Sequence, residues 1–327
     1  MPDRPDLPAP TAPARAKAPD DTRITILLAT CNGAAHLHEQ LASLNAQSDP
    51  RWDLWISDDG STDDTRAIVN DFRIDQTGAR DIRLLDGPRQ GPAANFMTLL
   101  THPDLPPGPV ALSDQDDVWL PDKLALARAG LAQSGSEAGT LYGAQSIHTD
   151  LRLREIGRSK PPPRPPSFRN ALIQNIVSGH STVLDGGALT LVRRAGMPRG
   201  IPYHDWWLYQ LISGAGGRVI IDPTPVLYYR QHGSNAMGAH RGGLASLRRA
   251  SQVLGRTYGC WIEANTVALD QVADLLTTQN RQVLKAFRTL PAHSGPRRAW
   301  ALHQLGLHRQ TRLATASLVL AAGLGRV

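Results

Sequence analysis

The sequence predicts an α/β fold: a mostly parallel central sheet with flanking helices, followed by a C-terminal helical extension. Three observations carry that expectation. From Arg23 onward, short apolar runs alternate with amphipathic runs in four consecutive β/α units. Acidic or Gly-containing junctions sit where the apolar runs end, the edge at which open parallel sheets hold ligands. After Arg241 the strand signals stop, and Leu, Val and Ala recur at spacings suited to amphipathic helices.

Residues 1–22 are rich in Pro, Ala and charge and have no apolar period, so they predict a disordered leader without the apolar stretch of a secretory signal. An α/β domain is expected over residues 23–240. Ile24 to Ala29 reads as a buried strand, and Leu37, Leu41 and Leu44 mark one face of the helix that follows. Trp52 to Ser57 is the second strand, Thr62 to Phe72 the second helix and Ile82 to Leu85 the third strand. Ala93 to Leu100 is helical, Pro109 to Ser113 a strand, and Leu120 to Leu131 a helix with Pro121 in its first turn. After Gly139, strand-like pieces at Leu141 to Ile147 and Ser181 to Val192 flank KPPPRPP at Lys160 to Pro166, a stiff extended segment. A helix over His204 to Ser213 and strands at Arg218 to Ile221 and Val226 to Tyr229 complete the domain. Residues 241–327 form the basic helical region, and no internal repeat is present.

Composition narrows the class. With 41% hydrophobic and 20% charged residues in 327, the chain is globular in composition. Its two cysteines, Cys31 and Cys260, cannot build a disulfide framework or a Cys-rich zinc site, which favours a reducing compartment. No apolar run approaches the roughly 20 residues that span a bilayer. The net charge of +6 is unevenly placed: Arg241 to Val327 carries 12 Lys and Arg against 3 Asp and Glu, leaving the first 240 residues with 23 against 26. A mildly acidic body with a basic tail predicts a cytoplasmic protein whose tail contacts anionic lipid on the inner face of the cytoplasmic membrane. The tail has few aromatics among its arginines and no nucleic-acid module signature, so no nucleic-acid partner is expected.

The strongest local feature is Ser113-Asp114-Gln115-Asp116-Asp117 at a strand end. Residues two apart on an extended chain share a face, so Asp114 and Asp116 can project into one site. A divalent cation offsets the repulsion of gathered carboxylates, and oxygen ligands favour Mg²⁺ or Mn²⁺. Helix capping explains Asp117 or Asp122, but not three carboxylates within four residues. A second cluster, Asp58-Asp59-Gly60-Ser61-Thr62-Asp63-Asp64, fits either a strand-to-helix turn or a contact to base or ribose. The first strand ends in Ala29-Thr30-Cys31-Asn32-Gly33, which is neither a GxGxxG fingerprint nor a P-loop, and Cys31 reads as a packed small side chain. In Tyr203-His204-Asp205-Trp206-Trp207, Asp205 is either a helix cap or a general base, and the indoles either core or a sugar platform. Arg230 and His232, at a later strand end, suit a metal or an anionic phosphate.

The ordered segments ITILLATCNG, WISDDGSTDDT, GPAANFMTLL, SDQDDVWLPDKL, HDWW and YRQHGSN resemble the inverting glycosyltransferases of family 2, in particular their rhamnosyltransferase-like branch, over about residues 23 to 235. The resemblance implies a GT-A fold, a nucleotide-diphospho-sugar donor (dTDP-, UDP- or GDP-linked), a divalent metal, and a glycan or lipid-linked glycan acceptor. It implies that Thr30, Asn32 and Asp58 or Asp59 touch the nucleotide, that Asn95 and Arg230 belong to the donor site, and that Asp114 and Asp116 form the DXD element. It further implies Asp116 as metal ligand, His232 as a holder of metal or diphosphate, and Asp205 as catalytic base. Two positions depart from the family pattern: Cys31 replaces an aromatic, and His204 replaces an acidic residue. QxxRW is absent, which favours transfer of a single sugar. The rival readings are a sugar nucleotidyltransferase, which lacks its Gly-rich basic phosphate loop here, and an inactive transferase-like scaffold.

Overall fold

The structure is a computed structural model that describes residues 22–76, 78–231 and 256–325. His232, Arg248 and Arg249, the boundary at residue 240 and nearly all of the leader lie outside the described residues.

In chain order the first half runs β1 (Ile24–Thr30), α1 (Ala34–Asn45), β2 (Trp52–Asp58), α2 (Thr65–Asp75), β3 (Ile82–Asp86), α3 (Pro92–Leu100), β4 (Val110–Ser113), β5 (Val118–Trp119) and α4 (Lys123–Ala132). The second half runs β6 (Thr140–Thr149), β7 (Glu155–Arg158), α5 (Phe168–Ala171), β8 (Val183–Leu184), α6 (Gly186–Ala195), α7 (His204–Gly214) and β9 (Arg218–Arg230). Four helices close the chain: α8 (Arg256–Gln271), α9 (Thr278–Thr289), α10 (Gly295–Gln304) and α11 (Arg312–Gly323).

The nine strands of the described residues form one sheet, ordered β3-β2-β1-β4-β8-β6-β9-β5 with β7 paired to β6. The first four of that order are parallel, as the β/α alternation requires, and their register aligns Thr30 with Asp58, Asp58 with Asp86, and Leu28 with Ser113. Every acidic or Gly-containing junction at the ends of these strands therefore emerges at one edge. The second half is mixed: β8 runs antiparallel to β4 and β6, β6 parallel to β9, and β9 antiparallel to β5.

The alternation of side chains along each strand sorts the core into two layers. Ile24, Ile26 and Leu28 of β1 face one layer with Leu37, Leu41 and Leu44 of α1, whereas Leu27 faces the other with Phe96 of α3 and Trp207 of α7. The C-terminal helices join that second layer. Tyr258, Ile262, Leu269, Leu284 and Phe287 are buried in the same cluster as Phe168, Trp206 and Leu211. Short α5 ties the two together, because Arg169 Nε donates to the Leu305 carbonyl at 3.0 Å and Asn170 Nδ2 to that of His308 at 2.9 Å. On its other side, Trp206 Nε1 donates to the Ala171 carbonyl at 2.7 Å.

Several boundaries differ from the sequence expectation. Within Ser181 to Val192 only Val183–Leu184 is strand; the remainder is mostly helix α6, because Asp185 accepts the Ala188 N–H at 2.7 Å and starts it. The strands expected at 218–221 and 226–229 are one strand, with register shifts against β6 accommodating Asp222 to Pro225. Helix α4 begins at Lys123, since Val118–Trp119 pairs with β9 and Pro121 precedes the helix. Cys31 is exposed rather than packed. No helix among the described residues is long and apolar enough to cross a membrane.

Candidate active site

The loops after β1 and β2 form one rigid unit through carboxylate hydrogen bonds. Asp58, 2% exposed, accepts from Thr30 Oγ1 at 3.1 Å, Ser61 N at 3.1 Å, Ser61 Oγ at 2.5 Å and Arg66 at 3.2 Å. These donors outweigh its burial and hold the Asp58 carboxyl below the usual carboxylate range. Asp59 accepts from Arg89 N at 2.5 Å and Gly91 N at 2.8 Å, ordering the turn before α3. Asn32 sits at φ 49° and accepts the Thr62 N–H at 2.8 Å through its side chain. Thr30 is buried, bonded to Asp58 through its hydroxyl and to the Asp59 N–H through its carbonyl, whereas of the residues nominated for the nucleotide Asn32 is exposed and Asp59 half-buried. Asn95 is also buried: its Nδ2 donates to the Ser57 carbonyl at 2.9 Å, while its Oδ1 has no partner.

Gln115, the spacer of the acidic motif, fastens this unit to β4. Its Oε1 accepts the Cys31 N–H at 2.9 Å and its Nε2 donates to the Cys31 carbonyl at 3.0 Å, as a neighbouring strand would. Gly33 leaves room for that amide; a Cβ there would lie 2.1 Å from Gln115 Oε1. The Cys31 thiol is pushed up by burial and by Asp59, Asp58 and Asp63, so it stays protonated and is no nucleophile.

The acidic loop itself is poor in partners. Asp117 is fully buried and neither carboxylate oxygen has a hydrogen-bond partner; the Nε2 of buried His180 has none either. Ligand atoms of Asp114, Asp117 and His180 all lie within 4.8 Å of one another. Burial and the charges of Asp116 and Asp205 push the Asp114 carboxyl up to about 7, and Asp117 is displaced well above its ordinary value, chiefly by burial. Lys123 is buried here, with Nζ donating to the His180 carbonyl at 2.5 Å and lying 3.3 Å from the Trp119 ring centroid. Burial depresses its pKa well below normal. Orphaned carboxylate oxygens beside an orphaned imidazole nitrogen are a donor set that fits a divalent cation, and the imidazole tilts that set from Mg²⁺ towards Mn²⁺ or later ions. Asp116 stands beside this group, its carbonyl accepting from Arg230 Nε at 3.1 Å. Sequence reasoning missed His180, which lies 63 residues beyond Asp117 and enters because β8 pairs with β4.

Arg230 is 2% exposed and braces the acidic loop: besides Asp116 it bonds the Leu151 carbonyl at 2.6 Å and the Glu39 carboxylate. That geometry makes it a strut under the site rather than a group facing a phosphate.

Asp205 occupies the first turn of α7. Its carboxylate accepts from Trp206 N at 2.7 Å and Gly179 N at 3.1 Å, with a further hydrogen bond from the Asn175 side chain. Burial nevertheless pushes it up to about 6. Its charge acts on Asp114, which places α7 across from the acidic loop. His204 packs on Phe96, ring centroids 4.1 Å apart, and burial lowers it to about 3, so it adds no charge beside Asp205. Trp206 and Trp207 are core, 2% and 0% exposed, and offer no platform for a sugar.

Comparison with known proteins agrees with this architecture. Residues 25–187 match the family model described as Glycosyl transferase family 2, a span that takes in both acidic loops and His180 but ends before Asp205. The chain is 27% identical over 236 residues to the dTDP-rhamnosyl transferase RfbG of Shigella flexneri, covering 71% of this chain and 80% of that protein. Among solved structures, S. aureus TarS 1-349 in complex with UDP-GlcNAc superposes with a TM-score of 0.55 at 12% identity, covering 93% of this chain and 90% of that one. The mannosyltransferase PcManGT from Pyrobaculum calidifontis, in complex with GDP-Man and Mn2+, gives 0.50 at 20% identity, covering 92% and 86%. At those identities the structural likeness establishes the fold, while the sequence match establishes kinship. The chain belongs to glycosyl transferase family 2 and is similar to its rhamnosyltransferases.

Proposed function

We propose that this protein is an inverting glycosyltransferase that moves a single sugar from a nucleotide-diphospho-sugar to a hydroxyl of a glycan or lipid-linked glycan in cell-surface polysaccharide synthesis. Among dTDP-, UDP- and GDP-linked donors, the relative named as a dTDP-rhamnosyl transferase favours dTDP-rhamnose. The observation that carries the reading is Asp205, a single partly buried carboxylate held in orientation by Gly179 N–H and close enough to act on Asp114, in a loop where both oxygens of Asp117 lack a hydrogen-bond partner.

In this mechanism the rim at Asn32 and Asp59 holds the nucleotide, with Thr30, Asp58 and Asn95 fixing the loops beneath it. Asp114, Asp117 and His180 would hold a divalent cation, next to Asp116, with His232 a candidate in the same role. A Mg²⁺ or Mn²⁺ bound there would supply positive charge against the departing diphosphate. Asp205 takes the proton of the acceptor hydroxyl as that oxygen attacks the anomeric carbon from the face opposite the diphosphate. With a value near 6, the carboxylate is ionised at neutral pH and remains a stronger base than an ordinary Asp. Gly179 keeps this arrangement tight, since a Cβ there would lie 2.6 Å from His204 Nε2.

Asp205→Asn is expected to lower turnover of dTDP-rhamnose by a factor of about 10² to 10⁴ while leaving nucleotide binding intact. A thermal-shift panel of dTDP, UDP and GDP, with and without Mn²⁺, measures the binding half of that statement. Near-normal transfer by the variant would remove Asp205 as base.

The protein is proposed to work in the cytoplasm with its tail against anionic lipid. In support, α11 exposes Leu313, Leu320 and Leu324 along one stripe, α10 exposes Trp300, and Arg297 and Arg312 are exposed at their starts. Sedimentation with anionic liposomes should show binding at low salt that weakens at high salt; absence of binding in both would exclude the contact.

A further inference from the structure

A cleft of about 80 Å³ opens at the same sheet edge as the acidic loop, on the side away from the nucleotide loops. Its floor comes from Gly143, Ala144 and Gln145 of β6 and Ile221 of β9, which lie beyond β8 in the sheet order β1-β4-β8-β6-β9. The segment from Asn175 to Ser181 separates it from Asp205. One side of that segment, Asn175 and Gly179, bonds the Asp205 carboxylate; the other, Ile176, Ser178 and Ser181, lines the cleft. A ligand in the cleft is thus one backbone thickness from the base.

The chemistry of the lining is specific. Ala144, Pro162, Ile176 and Ile221 offer apolar surface suited to the C–H face of a pyranose. Three of the neutral polar side chains are engaged with the protein: Ser159 Oγ donates to Gln145 Oε1 at 2.7 Å, Gln145 Nε2 to the Asp222 carbonyl at 3.2 Å, and Ser181 Oγ to the Ser178 carbonyl at 3.1 Å. Four cations flank the Pro-rich segment. Arg158 is paired with Glu155 at 2.9 Å, Arg169 donates to the Leu305 carbonyl, and Arg164 lies outside the lining. Lys160 lines the cleft and has no hydrogen-bond or ion-pair partner among the described residues. It also stands at the start of a proline-rich run, which restricts the backbone that carries it. Among the described residues no carboxylate lines the cleft, so the uncompensated ammonium of Lys160 selects for negative charge.

We propose that this cleft is the acceptor subsite and that it takes a saccharide bearing an anionic group, phosphoryl or carboxylate, which Lys160 meets. The inference rests on the transferase reading above and adds the chemical class of the acceptor to it.

The test titrates glucose 1-phosphate, glucuronic acid and glucose into the full chain, with ligand-observed NMR giving the affinities. At least one charged sugar should bind about five-fold or more tightly than glucose. Lys160→Ala should remove that preference, Lys160→Arg should keep it, and Ser178→Phe, which fills the cleft, should abolish binding of all three. Preference for glucose 1-phosphate would identify a phosphate-bearing acceptor such as a lipid-linked sugar; preference for glucuronic acid would identify a carboxylated glycan. The proposal is overturned if neither charged sugar is preferred, if Lys160→Ala retains the preference, or if Ser178→Phe binds as the wild type does. The dTDP thermal shift should be unchanged in all three variants. A wild type that responds to no nucleotide takes down the transferase reading and this one together, whereas an intact response without charged-sugar preference overturns this one alone.

Discussion

Two loops of similar composition, Asp58 to Asp64 and Asp114 to Asp117, leave the strands that flank β1 at the same sheet edge, yet their carboxylates live in opposite conditions. In the first, Asp58 and Asp63 are surrounded by N–H and O–H donors and are held below their ordinary range. In the second, Asp117 is buried with both oxygens unpartnered, and Asp114 is raised to about 7. Asp58 and Asp63 in the first loop are satisfied by the chain itself. Asp117 in the second has no donor at either oxygen, a condition that a bound cation would relieve. Counting acidic residues would rank the first cluster, with four in seven positions, above the second.

The contrast can be broken or sharpened in order of expected effect. Asp114→Asn should lower transfer by about 10² to 10⁴-fold and remove the Mn²⁺-induced rise in Tm. Asp63→Asn should cost less than about ten-fold and keep that rise; equal losses in the two variants would erase the distinction. In stability, Asp58→Ala should cost about 2 to 4 kcal/mol, because several buried donors lose their acceptor. Asp117→Asn, measured by urea unfolding without metal, should be neutral or stabilising, since it removes a buried charge.

The pH dependence should also differ in sign. Asp58 is depressed, so the stability it contributes is present above the ordinary Asp value and is lost as pH falls through its lower folded value. Asp205 is raised to about 6, so its folded form binds a proton more tightly, and stability declines as pH rises from about 4 to above 6. Tm against pH should therefore fall less over that interval in Asp205→Asn than in the wild type, and wild-type turnover should decline below about pH 6. The smallest effect is expected from Gln115→Ala, about 1 kcal/mol in stability with a rise in donor KM and little change in kcat. A fall in kcat of the same size as the rise in KM would show that Gln115 does more than align the two loops.

Much of the fold was legible because strand and helix periods are local. The buried positions of α1 and both acidic junctions follow from single short windows, and the parallel run of β1 to β4 from the β/α alternation; the register between those strands is a tertiary fact. Errors arose where a short element depends on distant pairing. Val118–Trp119 is a strand only because β9 lies beside it, and Val183–Leu184 ends at Asp185 because that side chain caps a helix. At the site, Asp114 and Asp205 could be nominated from motif and helix start. His180 could not, because nothing local distinguishes a histidine brought in by sheet order from one in a core. Arg230 was legible as a cation at a strand end, but its burial under Asp116, Leu151 and Glu39 is a tertiary fact.

The hydrogen bonds from Arg169 and Asn170 to the carbonyls of Leu305 and His308 give α5 two masters: the tail on one side and, through the Ala171 carbonyl, the tryptophan next to Asp205 on the other. Trimming the chain at residue 240 to obtain a minimal domain would consequently yield an opened one, with the wall behind α7 exposed to water. Anything that grips the last two helices has a short lever to Asp205, and the C-terminal helices are in that sense part of the same mechanical unit as the candidate site.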